Sequence, residues 1–184
     1  MSVMVGAAEN DAPHARPGFG TRQLKLLGRM LRLAREVTGD HYQLSQEQGS
    51  ELPIEVRTLA DLQQFEIHSG EVLAYIARYG YADPEFGRPR DLYQVNLQDH
   101  NILESLRRES SGISFSPLVL YVLTHELLHV IRFVKYLTPF HQSEVDRIRE
   151  EQRVHALTRQ LLARIPVSGM NRVLDKYAHL AESR

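Results

Sequence analysis

The segment Thr124-His125-Glu126-Leu127-Leu128-His129 sets two imidazoles four residues apart, with a carboxylate directly after the first. On an α-helix that spacing puts His125 and His129 on one face, a single turn apart, with Arg132 continuing the stripe at i+7. The surrounding residues, Leu118 to Val134, are apolar almost all the way round, so the helix is expected to be buried. A buried helix that gathers imidazoles and a carboxylate needs partners for them, because unpaired buried polar groups are costly. A divalent metal is such a partner. The chain has no cysteine, which leaves His, Asp and Glu as the ligands and zinc as the favoured ion. Glu126, beside His125, can face the open side of that ion and act as a general base toward water. A hydrogen-bonded structural His pair is the plainer alternative.

This segment resembles the active-site helix of the zinc metallopeptidases known as zincins. The resemblance implies that His125 and His129 bind zinc and that Glu126 is the catalytic base. It covers this helix and at most the next. The extended metzincin pattern needs Gly and then His where this chain has Arg132 and Lys135, which excludes that subclass. The gluzincin pattern needs a Glu on the following helix, and Glu144, Glu150 and Glu151 are the candidates there. The Asn that precedes that Glu in the family is absent. Periodicity favours Glu151: Glu144, Ile148, Glu151 and His155 form one stripe, and if it faces the core Glu151 becomes the third ligand. His155 then stands one turn on, as a support for the ligands or a stabiliser of a developing oxyanion. Asp146, Arg147, Arg149, Glu150 and Arg153 read as a solvated charged face.

Arg132 needs a carboxylate, either from the following helix or from Asp99 or Glu104. His41, His68, His100, His141 and His179 stand alone in polar surroundings and read as surface or core histidines. Tyr136 and Tyr177 could donate to an oxyanion, although aromatic packing is their plainer role.

The elements that must position these groups read as mainly α: a helical, zincin-like domain with a small or rudimentary β element. Residues 1–20 lack periodicity and are expected to be a mobile tail, with residues 21–184 as a single metal-binding domain. Helices are expected from Thr21 to Gly39-Asp40, from near Leu59 (capped by Thr58 and continuing through Val72, Ile76 and Tyr79), and up to about Arg108. Others follow from a Ser116-Pro117 cap to about Tyr136, from Ser143 to about Ala163, and over Gly169 to Ala181. Ile54 to Leu59 could be a short strand. Asp91 to Leu97, a strand or the start of a helix, is the candidate edge that could align an extended peptide. Gly80 to Arg90 is turn-rich.

The net charge of −1 gives no electrostatic reason to expect nucleic acid or an anionic membrane as partner. Leu118 to Val134 is interrupted by four polar or charged residues and is a poor membrane span. With no secretory signal pattern at the start, the expectation is a soluble, cytoplasmic protein.

Three functions compete. The first is a zinc-dependent hydrolase, a small metallopeptidase acting on a peptide or protein. The second is a two-metal (iron or manganese) carboxylate helical bundle, since Glu126-x-x-His129 is also the ligand pattern of that class. The third is a non-catalytic, metal-stabilised interaction protein.

Overall fold

The computed structural model describes residues 16–82, 89–108, 112–135 and 137–180. It is mainly α with a small sheet, as expected. The expected tail falls largely on residues 1–15, outside the described residues. Residues 18–20 are held: Phe19 is buried, and its N–H donates to Asp99 Oδ2 at 2.9 Å.

α1 (Thr21–His41) starts where Gln23 Oε1 accepts from the Gly20 N–H at 2.7 Å, which satisfies one of the free donors of the first turn. It turns Leu27, Ala34 and Val37 inward and packs against the central helix. A short α2 (Gln46–Ser50) follows, and then β1 (Ile54–Arg57).

The helix expected from Leu59 does not form. Leu59–Asp61 and Gln64–Glu66 are 3₁₀ turns, and Ala74–Ala82 is strand β2. The i, i+4, i+7 spacing of Val72, Ile76 and Tyr79 was compatible with a helix. Ala74 and Ile76 are the buried residues there, however, and their period is two. Tyr75, Ile76, Tyr79 and Tyr81 are also strand formers.

β3 (Pro89–Leu97) pairs antiparallel with β2, with Ile76 opposite Val95, and parallel with β1, with Val56 opposite Val95. The order β1-β3-β2 makes β3 the central strand. Asp91 to Leu97 therefore cannot serve as a free edge, whereas β2 can. Tyr93, Val95 and Leu97 pack into the core. The turn between β2 and β3, residues 83–88, lies outside the described residues.

After α3 (Asp99–Arg108) comes α4 (Phe115–Val134), whose N-cap, Ser114, stands two residues earlier than expected. Every residue from Pro117 to Phe133 is buried. Leu118, Leu120, Leu123 and Leu128 are fully enclosed; each such side chain contributes roughly 1.5–3 kcal/mol of hydrophobic stabilisation. By length and composition α4 could cross a membrane, but 94% of its apolar window is covered by the rest of the protein. Its apolarity is accounted for by its place at the centre of the core.

Phe140 turns the chain toward α5 by packing on Phe133, with ring centroids 5.2 Å apart. α5 (Glu144–Leu162) opens with the expected cap: Ser143 Oγ accepts from the Asp146 N–H at 3.2 Å. α6 (Met170–Lys176) starts from Gly169 in the left-handed region (φ 83°) and is shorter than the helix expected over Gly169 to Ala181; a 3₁₀ turn, Ala178–Leu180, follows it.

Candidate metal centre

His125 and His129 project from α4 toward α5, and α5 brings Glu151 to meet both. His125 Nε2 lies 2.9 Å from Glu151 Oε1, His129 Nε2 lies 3.3 Å from Glu151 Oε2, and the two Nε2 atoms are 3.1 Å apart. A tetrahedral zinc with bonds near 2.0–2.1 Å separates neighbouring ligand atoms by about 3.3 Å. The three donor groups thus already stand at roughly the spacing of one face of such a site, so the residues fit the ion.

Packing holds the rings. His125 packs against Tyr121, at 6.4 Å, and His155, at 4.3 Å between centroids, while His129 stacks on Phe133 at 6.0 Å. Neither Nδ1 has a hydrogen-bond partner among the described residues. Metal-binding histidines commonly anchor that nitrogen on a carboxylate or carbonyl; here ring contacts set the orientation.

Burial pushes His125 down to about 3, against the opposing pull of Glu151. It is therefore neutral near pH 7, the form that ligates metal. Burial pushes Glu126 up to about 7, and its Oε2 has no hydrogen-bond partner among the described residues. A carboxyl balanced at that value can take up and release a proton near neutral pH. Burial acts to raise Glu151 as well. Hydrogen bonds from His125, His129 and His155 outweigh it and hold Glu151 well below the usual carboxylate range.

Glu151 faces the histidines for a reason different from the one periodicity suggested. The stripe of Glu144, Ile148, Glu151 and His155 does not face the core as a whole: Ile148 is 50% exposed and Glu144 is exposed. Only its last turn is enclosed, and Glu151, half-buried, looks into a cleft. The most buried of the three carboxylates is Glu150. It is no part of a solvated face. It meets Arg132 through two hydrogen bonds, one from Nε to Oε1 and one from Nη2 to Oε2, the second at 2.9 Å. That pair supplies the carboxylate expected for Arg132 from the following helix. Asp99 is engaged instead by the N–H groups of Phe19 and Leu59, and Glu104 by Arg107 and Arg108.

His155 reaches the same centre. Its Nε2 is 3.3 Å from Glu151 Oε1, and its Nδ1 is 2.8 Å from the Tyr121 hydroxyl. His125, Glu151 and His155 also form a group close enough to share an ion. Tyr121 was not singled out from the sequence, although it stands one turn before His125. Its phenol reads as core until its partner on α5 is known. Tyr177 stacks on Tyr121 at 4.8 Å, the aromatic role expected of it. Tyr136 lies outside the described residues. His68 and His100 meet each other, through the His68 carbonyl and His100 Nε2 at 2.9 Å.

Two cavities flank Glu151. One, of about 620 Å³, is lined by His125, Glu126, His155, Tyr121 and the stretch from Gly70 to Ala74. The other, of about 340 Å³, lies at His129, Phe133 and Phe140. Glu126 borders the first and not the second.

No family model, no curated protein and no solved structure matches this chain.

Proposed function

We propose that this chain is a zinc-dependent hydrolase, a small cytoplasmic metallopeptidase, with His125, His129 and Glu151 as metal ligands and Glu126 as general base. The reading rests on one observation. Three donor groups stand 2.9–3.3 Å apart beside a buried carboxylate near pKa 7, at the wall of a cavity of substrate size. The ion supplies a Lewis acid for the carbonyl and lowers the pKa of water. Glu126 takes the proton from the attacking water and delivers it to the leaving amine. A peptide is favoured as substrate because Gly70 to Ala74, which line the cavity, lead into β2. The outer edge of β2 has no partner strand among the described residues, so an extended chain could add to it.

The test is metal content together with Glu126→Gln, assayed on a mixed peptide library. One zinc per chain, retained in the variant while cleavage falls about 10²–10⁴-fold, supports the reading. Unchanged cleavage in the variant overturns it. Two iron or manganese ions per chain would favour the carboxylate-bundle alternative, which the His125–Glu151–His155 group keeps open. A zinc with four protein ligands and no cleavage would favour a structural, non-catalytic site.

A further inference from the structure

The two ways of grouping donors around Glu151 differ in one residue. Either His129 or His155 completes the set with His125, or both do, and a centre with both would be closed by four protein ligands. The hydrogen bonds at the two ends of the His155 ring decide between these. At one end, the Tyr121 hydroxyl is buried and 2.8 Å from His155 Nδ1. Burial raises its pKa, so it keeps its proton. Among the described residues His155 Nδ1 is the polar atom set against that hydroxyl, close enough to accept its proton. At the other end, Nε2 lies 3.3 Å from Glu151 Oε1. A carboxylate near neutral pH is ordinarily ionised and can only accept. Of the two neutral tautomers, one satisfies both contacts, with the lone pair on Nδ1 and the proton on Nε2. The opposite tautomer points a lone pair at a carboxylate oxygen and leaves the phenol proton without its acceptor, which is costly in a buried site.

We infer that Tyr121 is a positioning residue which fixes His155 as the Nε2–H tautomer, making His155 a hydrogen-bond donor to Glu151 and not a metal ligand. The relay runs from the Tyr121 hydroxyl to His155 and on to Glu151 Oε1. Glu151 Oε1 also faces His125 Nε2, at 2.9 Å, and Oε2 faces His129 Nε2, at 3.3 Å, so His125, His129 and Glu151 would remain as the three protein ligands, and a tetrahedral ion held by them would keep one position for water. This rests on the metal-centre reading above, but the tautomer is a property of the chain with or without metal.

The experiment is two-bond ¹H–¹⁵N correlation NMR of the histidine rings in the full chain, metal-free and with zinc alone added. His155 is assigned by the signal missing in His155→Gln. The expected result is an Nε2–H pattern in both samples, lost in Tyr121→Phe, with one zinc per chain bound by both variants and affinity lowered about 10–100-fold at most. His155→Gln, which can present an amide N–H in place of the ring N–H, is expected to lie nearer wild type than His155→Ala. An Nδ1–H pattern, or a zinc-induced shift at Nε2 that marks coordination, overturns the inference. If zinc fails to bind, the hydrolase reading falls while the metal-free spectrum still decides the tautomer. If Tyr121→Phe does not fold, the wild-type spectra alone decide it.

Discussion

Glu150 and Glu151 are neighbours on α5, and both face α4, yet they meet opposite fates. Glu150 is locked against Arg132, two charged groups that neutralise each other and close the helix interface. Glu151 receives three imidazoles and stands beside a cavity. The first is an ion pair closed within the helix interface; the second sets a carboxylate among nitrogen donors at a cavity wall. The lesson is that burial alone does not pick the candidate functional carboxylate. The chemistry of its neighbours does.

The largest expected effect tests that contrast from the Glu151 side. Glu151→Gln should weaken zinc by about a thousandfold. That corresponds to about 4 kcal/mol, if three protein ligands share the roughly 10–16 kcal/mol typical of a zinc site. Competition with a chromophoric chelator measures it, and an unchanged affinity would break the comparison. Next, Arg132→Ala should destabilise the fold by about 3 kcal/mol, because it leaves the buried Glu150 with only the exposed Arg153 guanidinium, 3.6 Å away, to pair with. Urea unfolding checks this. The double change Arg132→Met with Glu150→Leu should recover most of that loss while zinc affinity stays within about threefold of wild type. If the double variant loses zinc, Glu150 has been placed in the wrong group.

Smaller effects come from protons in metal-free protein. His125 is held near 3 by burial, against about 6.5 in an unfolded chain. The unfolded state therefore binds the extra proton, and stability falls as pH drops below about 6.5. Glu126 is raised to about 7, against about 4.3 unfolded. There the folded state binds the extra proton, and stability rises as pH drops through that window. Each contributes about 2 kcal/mol between pH 7 and pH 5, with opposite signs. Glu126→Gln in chelator should thus lose stability over that range and His125→Asn should gain it. Melting curves at the two pH values test this, and slopes of the same sign would refute the assignment. The smallest effect is Ser143→Ala, about 1 kcal/mol from the lost helix cap, which should loosen Glu150 and Glu151 equally.

The helical half of the molecule was readable because its signals are local. The i, i+4, i+7 polar stripe on α4 and the Ser143 cap are written within a few residues of each other. β2 was not readable in the same way. Val72, Ile76 and Tyr79 satisfy both periods, and pairing with β3 settles which one wins. The same holds within the site. His125, Glu126 and His129 are visible from spacing, and Glu151 was reached through a stripe that turns out to face the core only in its last turn. Tyr121 becomes meaningful only when α5 sets His155 against it, a contact between residues 34 apart in the chain.

All the ligands named here lie on one helix pair, with His125 and Glu151 separated by 26 residues. An ion gripping both helices ties off that loop as a cross-link would, and a cross-link over a loop of this length restricts the unfolded chain by about 3 kcal/mol. The sheet, which contributes no ligand, gains nothing from that tie directly. Zinc should therefore slow amide hydrogen exchange first in the middle turns of α5, where Glu151 is anchored. The wall that would receive a substrate, Gly70 to Ala74 and the edge of β2, is left free to breathe at its own rate.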